Sequence, residues 1–368
     1  MLKFWRKRAG TRAGHLGIGT TGETALNGVE VAFLLGVPRS GTTLLSYLLD
    51  RHPEVAVPPE PWLLLALESL GQVCARHPAS SHYLGQAILE LGRTVDLDPA
   101  RRCFAQTAYA GMSGGKRIVV DKTPRYYQVL GTLDRLFPAA RLIHLRRNPF
   151  AVAASLKTSW GLDIVSTLKH LPDHPLIIDF VMGPRLYADH AAMAGPRAHV
   201  LRYEDLVDAP EHHLSELFAH LEVLPMPLDL RVEAGHTALA TASLGDRRIL
   251  ETSAIQRDGL DRWRAELTPD EVQTVLDCVG TDLLVRLGYA DALDAARACG
   301  AVPSPPAVTK GIVARVREAW TVRGRDVERA STAAGVSDAL TLAVDLAFAR
   351  PDDVLAAMRE HDRRGGSP

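Results

Sequence analysis

The sequence predicts an α/β protein in which a parallel central sheet is flanked by helices. Each predicted strand is a short apolar run, typical of strands buried on both faces of such a sheet. A segment with helical spacing of apolar residues follows each run, and a glycine-bracketed loop follows the first. Parallel sheets bind ligands at the carboxyl ends of their strands, so the loops there are expected to share one crevice. The four predicted strands are Val31–Leu35, Arg117–Val120, Arg141–Leu145 and His199–Arg202.

The first strand leads into a P-loop-like phosphate cradle. Residues Val29–Leu49 read VEVAFLLGVPRSGTTLLSYLL, so a strand ends at Gly36 and a helix begins near Thr42. A helix N-terminus offers unpaired N–H groups and a positive dipole end, and glycines let the backbone curl around an anion. A triphosphate-binding loop would carry lysine at the position of Thr42. The candidate anion ligands are Arg39, Ser40, Gly41, Thr42 and Thr43.

The segment between the first two strands is predicted to be mostly helical. Glu54–Pro61 is rich in proline and cannot be helical throughout, and a helix is predicted to begin at Trp62. Residues 71–115 have the pattern of helices joined by loops, with a helix cap at Asp98-Pro99.

Polar loops follow the other predicted strands. The second strand leads into Asp121-Lys122-Thr123-Pro124, where Thr123 is predicted to cap a helix that runs to Phe137. The third leads into Arg146-Arg147-Asn148-Pro149 and a helix containing Ser155. The fourth leads into Tyr203-Glu204-Asp205, whose acids are predicted to cap a helix.

The C-terminal third has a weaker pattern. Residues 236–262 suggest an ordered loop or lid, and Trp263–Leu287 returns to helix with Thr268-Pro269-Asp270-Glu271 as an N-terminal signature. A proline-rich linker at 301–306 precedes two or three amphipathic helices in 308–362. We therefore predict three parts: a mobile N-terminal arm at 1–28, a main domain at 29–300, and a linker with a helical C-terminal extension at 301–368.

Composition excludes several classes of protein. A net charge of −1 argues against a nucleic-acid-binding surface, and no apolar run approaches the length of a membrane span. The basic N-terminus lacks the apolar segment of a signal peptide, so the cytoplasm is the expected location. The four cysteines are scattered and the fourteen histidines show no ligand spacing, so no metal site is expected.

Several linked motifs resemble the sulfotransferases that use 3′-phosphoadenosine-5′-phosphosulfate, and most resemble the branch containing protein-tyrosine sulfotransferases and bacterial relatives. GVPRSGTTLL at 36–45 is similar to the family's 5′-phosphosulfate loop, and LIHLRRNPFAVAAS at 142–155 to its 3′-phosphate motif. DKTP at 121–124 and LRYEDLV at 201–207 follow the family's order. The resemblance spans Val31–Leu287 and implies that the main domain is a sulfotransferase domain.

The resemblance implies how the donor would be held. Arg39 and the amides of Ser40, Gly41, Thr42 and Thr43 would bind the 5′-phosphate and the departing sulfuryl oxygens. Arg147 and Ser155, eight positions apart, would bind the 3′-phosphate that distinguishes this donor from ATP. Tyr203 would lie near the nucleotide, and Ser243 is a further candidate contact. Arg257 has no secure counterpart in the family's pattern.

The resemblance also implies the catalytic groups. Glu60, 21 residues after Arg39, matches the carboxylate that activates the acceptor hydroxyl, and Lys122 matches the lysine that neutralises charge near the transferring group. In-line transfer to a hydroxyl would need no metal, since Arg39 and Lys122 supply positive charge. Lys169-His170-Leu171-Pro172 imitates a catalytic histidine motif of the small-molecule branch but follows the 3′-phosphate motif, in the wrong order.

Alternatives remain open at this stage. The same cradle would suit a nucleotide kinase or another phosphate-loop transferase, although the loop lysine is missing. A third hypothesis is a non-catalytic nucleotide-binding or scaffold protein, in which the helices predicted at 308–362 form the working surface. The acceptor could be a small molecule, sugar, lipid or peptide, and the sequence leaves the oligomeric state undetermined.

Overall fold

A five-stranded, fully parallel sheet lies at the centre of the part of the protein that the computed structural model describes, which comprises residues 28–70, 81–227 and 260–332. The strands lie in the order β2-β3-β1-β4-β5. β1 therefore occupies the middle of the sheet, paired with β3 on one side and β4 on the other. The strands are β1 Glu30–Leu35, β2 Val55–Ala56, β3 Ile118–Asp121, β4 Arg141–Arg146 and β5 Ala198–Arg202.

Helices follow the strands and account for most of the remaining described residues. The N-terminal helices are α1 Thr42–Asp50, α2 Leu63–Ser69, α3 Ser81–Thr94, α4 Asp98–Met112 and α5 Leu130–Leu136. The middle of the chain contains α6 Pro149–Trp160, α7 Ile164–His170, α8 Pro175–Val181, α9 Gly183–Ala194, α10 Tyr203–Asp208 and α11 Pro210–His220. The C-terminal helices are α12 Trp263–Glu266, α13 Pro269–Val279, α14 Thr281–Leu287, α15 Ala290–Ala298 and α16 Pro306–Thr332.

Each face of the sheet is covered by its own apolar core. Side chains of a strand alternate between faces, so Ala32 and Leu34 pack with α1 and α11 while Phe33 and Leu35 pack with the larger group of helices on the other face. This burial on both faces explains why β1 appears in the sequence as an unbroken apolar run. The predicted α/β fold with a parallel sheet flanked by helices is confirmed.

Two local predictions near the second and third strands in the chain are wrong. β2 was missed because it has only two residues inside a proline-rich segment, which is too short for any periodicity. The helix predicted from Thr123 to Phe137 is a 3₁₀ turn, Tyr126–Gln128, followed by α5. Thr123 does not cap a helix, because its hydroxyl donates to Asp121 and accepts from the amide of Trp62. Trp62 itself precedes α2 with φ 54°, in the left-handed region.

The predicted start of the α13 segment is confirmed in detail. Thr268 accepts a hydrogen bond from the Glu271 amide, and the Glu271 carboxylate accepts one from the Thr268 amide, forming a capping box. Lys157 of α6 also donates to Glu271 at 2.7 Å, which ties α13 to the helix that follows β4.

The C-terminal extension begins with a helix packed on the main core. Residues 301–305 have no regular structure, and α16 then runs from Pro306 to Thr332. Val316 is fully buried in the core, and the Trp320 ring meets the Tyr127 ring with centroids 6.0 Å apart. The sequence predicted two or three helices in residues 308–362. The described part of that segment, up to residue 332, forms the single helix α16. Residues 333–368, the arm up to residue 27 and the predicted lid up to residue 259 lie outside the described residues.

Candidate functional site

All five strands end at one edge of the sheet, and a candidate residue follows each of them. Arg39 follows β1, Glu60 follows β2, Lys122 follows β3, Arg147 follows β4 and Tyr203 follows β5. The strand order arranges these loops along the edge as Glu60, Lys122, Arg39, Arg147 and Tyr203. The candidate base and lysine thus belong to one half of the edge, the cradle to its centre, and the candidate 3′-phosphate ligands to the other half.

The loop between β1 and α1 has room only for glycine at its two ends. A Cβ on Gly36 would lie 2.7 Å from Ser40 Oγ and 2.8 Å from the Leu145 carbonyl oxygen. Gly41 has φ 93°, and a Cβ there would lie 2.1 Å from the Tyr203 ring. Gly41 caps α1 without a side-chain hydrogen bond, so the first amides of α1 remain available to an anion. Thr42 and Thr43 occupy the first turn of that helix.

Arg39 links the cradle to α6. Its backbone is in the left-handed region at φ 69°, and its guanidinium lies 5.5 Å from the centroid of the Trp160 ring. Arg39 Nε donates to Ser155 Oγ at 2.9 Å, and one terminal nitrogen donates to Ser159 Oγ at 3.0 Å. Sequence reasoning missed Ser159, although it lies one helical turn after Ser155 and therefore on the same face of α6.

Arg147 completes this cluster. Its guanidinium donates to the Arg39 carbonyl oxygen at 2.9 Å and stacks 4.6 Å from the centroid of the Tyr203 ring. The structure therefore brings Arg39, Arg147, Ser155 and Tyr203 together. Arg147 Nε and Ser40 Oγ are both buried without a hydrogen-bond partner. Unpartnered buried donors next to a helix N-terminus suit an anion with several oxygen atoms, so this cluster fits a phosphate-bearing ligand.

Glu60 and Lys122 form a nearly buried ion pair. Lys122 Nζ lies 2.7 Å from Glu60 Oε1, and the two side chains are 6% and 10% exposed respectively. This burial excludes the simple alternative that Lys122 is a solvated surface lysine beside Asp121. Removing one partner from such a pair leaves an uncompensated charge, so the two side chains constrain each other strongly.

Asp121, immediately before Lys122, is the centre of a hydroxyl cluster. The carboxylate is fully buried and accepts hydrogen bonds from Tyr109 at 2.6 Å, Tyr126 at 2.6 Å and Thr123 at 3.0 Å. Burial raises the pKa of Asp121 to about 6, although the three hydroxyls and the charge of Lys122 act in the opposite direction. Sequence reasoning missed this role, because the hydroxyl partners come from different elements and have no common spacing.

A second buried ion pair lies beside the Glu60 loop. Arg125 binds Asp179 through two nitrogens, at 3.0 Å and 2.8 Å, and its guanidinium lies 5.8 Å from the centroid of the Trp62 ring. Burial alone would lower the pKa of Arg125, but the charges of Asp179 and Glu60 raise it above its ordinary value. Tyr127 also donates to Asp179 at 2.7 Å, which connects this pair to Trp320 of α16.

Glu204 connects the loops after β4 and β5. It accepts hydrogen bonds from the Asn148 amide at 3.0 Å and from the Tyr289 hydroxyl at 2.6 Å. The prediction that Glu204 caps a helix is wrong, because this residue of the first turn of α10 instead joins α10 to the loop after β4 and to Tyr289. Asn148 is itself the N-cap of α6, since it accepts from the Phe150 amide.

The remaining predicted candidates lie elsewhere. Ser243 and Arg257 are outside the described residues. Lys169 and His170 are exposed at the end of α7.

On α11, potential ligand atoms of His212, His213 and Glu216 all lie within 4.8 Å of one another, so the expectation that the protein has no metal site stays a prediction. Among the described residues this is the one group of three that could hold a metal ion. His213 lies 2.9 Å and His212 3.5 Å from the carboxylate of Glu216, so both imidazoles already contact this carboxylate.

Comparison with known proteins supports a specific family. Residues 32–226 match the family model described as the sulfotransferase family. Nodulation protein NoeE of Sinorhizobium fredii is 41% identical over 306 residues, covering 79% of this chain and 73% of that protein. Protein-tyrosine sulfotransferase 1 of Danio rerio is 26% identical over 271 residues, covering 71% of this chain and 72% of that protein.

Among solved structures, the sulfotransferase domain from the curacin biosynthetic pathway aligns with a TM-score of 0.47 and 22% identity, covering 71% of this chain and 98% of that domain. In the described ranges 28–70, 81–227 and 260–332, no helix combines the length and apolarity needed to span a membrane.

Proposed function

Because this chain belongs to the sulfotransferase family, we propose that it transfers a sulfuryl group from 3′-phosphoadenosine-5′-phosphosulfate to an acceptor hydroxyl. The observation that carries this proposal is the order of the loops along the carboxyl edge of the sheet. Anion-binding groups cluster at the centre and on one side, and a carboxylate paired with a lysine lies after the strands of the other side. One elongated donor with two phosphate groups could contact the first set and present its sulfuryl group to the second.

The donor would be held through its charges. Arg147, Ser155 and Tyr203 would bind the 3′-phosphate and the adenosine, and the amides of Ser40–Thr43 would bind the 5′-phosphate at the start of α1. Arg39 contacts both regions, because its backbone belongs to the cradle and its side chain reaches Ser155. A charge-assisted hydrogen bond contributes about 1.5–3 kcal/mol, so a few such bonds would account for specific binding of the doubly phosphorylated nucleotide.

The acceptor would be activated at the Glu60 side. The donor supplies an activated sulfuryl group, and Glu60 would take the proton from the acceptor hydroxyl as its oxygen forms the new bond to sulfur. Lys122 would neutralise the charge that develops on the departing phosphate oxygen, and the Arg39 guanidinium, which donates to Ser155 and Ser159 in this structure, would contribute only after turning toward the cradle. Lys122 is in contact with Glu60, so the charge of the lysine and the proton acceptor lie within one hydrogen bond of each other.

The acceptor is proposed only as a hydroxyl compound. The protein-tyrosine sulfotransferases that resemble this chain act, by their name, on tyrosine in proteins. We therefore propose a panel of tyrosine peptides, sugars, hydroxylated lipids and phenols as the first acceptors to examine.

The test is a calorimetric titration with 3′,5′-adenosine bisphosphate, followed by an assay of sulfate transfer from the radiolabelled donor. We expect the bisphosphate to bind more tightly than ATP with magnesium, and transfer to the acceptor panel to continue in the presence of EDTA. Tighter binding of magnesium ATP would support the kinase alternative. Binding of the donor without transfer to any acceptor would support a non-catalytic protein.

A further inference from the structure

The segment that carries Glu60 is held by hydroxyl groups that converge on one buried carboxylate. Asp121 ends β3 with no exposed surface, and three hydroxyls reach it from Tyr109, Tyr126 and Thr123. An ionised carboxylate can only accept hydrogen bonds, so each of these hydroxyls must donate a hydrogen bond to Asp121. Their lone pairs are then free to accept from other groups.

Two of the three hydroxyls accept hydrogen bonds from backbone amides of the segment that follows Glu60. Thr123 Oγ1 accepts from the Trp62 amide at 3.3 Å, and the Tyr126 hydroxyl accepts from the Leu64 amide at 3.2 Å. Trp62 has a left-handed backbone, which is unfavourable for a bulky residue and persists only where the surroundings impose it. One hydroxyl contacts the strained residue itself, and the other contacts the chain two residues after it.

We propose that Asp121 is a positioning residue for Glu60, acting through the hydroxyls of Thr123 and Tyr126 on the backbone of Trp62 and Leu64. Asp121 fixes the direction of both hydroxyls, because each donates a hydrogen bond to it. The hydroxyls in turn hold the backbone at Trp62 in its left-handed conformation. This conformation keeps Glu60, two residues earlier, against Lys122. This inference rests on the proposed function in one respect, since it takes Glu60 to be the base.

The third hydroxyl provides a matched control. Tyr109 and Tyr126 both donate to the same Asp121 oxygen at 2.6 Å, and both side chains are fully buried. Tyr109 comes from α4, and its hydroxyl interacts with Asp121 and with the neighbouring Tyr126 hydroxyl, whereas the Tyr126 hydroxyl accepts directly from the Leu64 amide. Tyr109→Phe and Tyr126→Phe therefore remove the same bond to Asp121, but only the second releases the Glu60 segment.

The experiment compares kcat, the Kd for 3′,5′-adenosine bisphosphate and amide hydrogen exchange in these variants. We expect Tyr126→Phe to lower kcat by roughly tenfold or more with Kd changed less than about twofold, and Tyr109→Phe to change kcat less than about threefold. Thr123→Val should behave like Tyr126→Phe, and Thr123→Ser, which keeps the hydroxyl, should restore kcat. Exchange of the Leu64 amide should accelerate in Tyr126→Phe and stay unchanged in Tyr109→Phe.

The outcomes separate this inference from the proposed function. Equal losses of kcat in the two tyrosine variants, or unchanged exchange at Leu64 in Tyr126→Phe, would overturn the proposed route from Asp121 through the Tyr126 hydroxyl to the segment after Glu60. Absence of sulfate transfer by the unaltered protein would instead overturn the proposed function. In that case the exchange measurement would still decide whether Asp121 holds the segment after Glu60.

Discussion

At the scale of single residues, the ion pair between Glu60 and Lys122 has consequences for how the site can be probed. The pair is almost buried, so truncation of either side chain leaves a charge without a partner and disturbs the fold as well as the chemistry. Substitutions that keep the shape of the side chain are therefore the informative ones.

We predict that Glu60→Gln abolishes the base and lowers kcat by about 10²–10⁴-fold. The Kd for 3′,5′-adenosine bisphosphate should stay close to its original value, because the anion-binding groups lie after other strands. The measurement is a steady-state transfer assay combined with calorimetry. Glu54→Gln is the control, since Glu54 is a half-exposed residue of the same segment and pairs with Arg117. Unchanged turnover in Glu60→Gln would exclude Glu60 as the base.

For Arg147 we predict loss of 3′-phosphate recognition. Arg147→Ala should weaken binding of 3′,5′-adenosine bisphosphate by about 10- to 100-fold, the effect of one lost charge-assisted hydrogen bond, and leave binding of adenosine 5′-monophosphate nearly unchanged. The control is Arg146→Ala, whose guanidinium donates to the Arg286 carbonyl oxygen at 3.0 Å. If both nucleotides lost affinity equally, Arg147 would not contact the 3′-phosphate.

His144 makes stability depend on pH. Burial on β4, together with the charges of His190 and Arg146, lowers the pKa of His144 to about 3. The unfolded chain binds a proton near the ordinary pKa of histidine, about 6.5, and the folded protein only near pH 3. The contribution of His144 to stability is therefore complete above pH 6.5 and declines by roughly 1.4 kcal/mol per pH unit as the pH falls toward 3.

We expect His144→Phe to make the decline in unfolding free energy between pH 6.5 and pH 4 shallower. Urea denaturation at several pH values measures this slope, and the same substitution at the exposed His170 is the control. A slope that is identical in the unaltered protein and in His144→Phe would contradict the assignment.

At the scale of elements, the junction between β1 and α1 tolerates little change. Gly41→Ala would place a methyl group 2.1 Å from the Tyr203 ring on a backbone with φ 93°. We expect a loss of about 1–3 kcal/mol in unfolding free energy and weaker nucleotide binding, because Tyr203 would have to move away from Arg147. Gly111→Ala in α4 meets no atom within 4 Å and should keep stability or raise it by up to about 1 kcal/mol. Similar behaviour of the two variants in thermal unfolding and calorimetry would contradict this account.

The elements also differ in how far the sequence could predict them. β1, its loop and α1 were predictable because the buried run, the bracketing glycines and the helical spacing are all local signals. Thr123 was misassigned as a helix cap, since its actual partners are the carboxylate of Asp121 and the amide of Trp62, which is 61 residues away in sequence. Ser159 was missed for a similar reason, because its importance depends on where the Arg39 side chain extends. Hydrogen bonds between a hydroxyl and a residue far away in the sequence produce no regular spacing that a sequence pattern could reveal.

At the scale of the whole molecule, α16 is part of the structure around the site. Trp320 contacts Tyr127, Tyr127 donates to Asp179, and Asp179 binds Arg125, whose charge lies close to Glu60. From the sequence, the proline-rich linker at 301–306 suggested that this helix lies apart from the main domain. Its contact with Tyr127 is seen only in the three-dimensional structure. The α/β architecture was thus predictable from periodicity, whereas the docking of the extension was not.

We predict that Trp320→Ala lowers the unfolding free energy by about 1–3 kcal/mol, because it removes aromatic contacts against the core. Val322→Ala is the control, since Val322 lies on the same helix with 44% of its surface exposed. Urea denaturation measures both changes. A Trp320→Ala protein as stable as the control would mean that α16 contributes little to the fold.

The linear arrangement of the loops along the sheet edge has a consequence for the diversification of this protein. The residues proposed to grip the nucleotide follow β1, β4 and β5, and Lys122, proposed to act on the departing phosphate oxygen, follows β3, whereas the carboxylate proposed to face the acceptor follows β2. Selection or engineering could therefore exchange the segment after β2 for that of a relative and leave the donor-binding residues in place. A modular scaffold of this kind would acquire new acceptors by recombination without having to re-evolve its use of the donor.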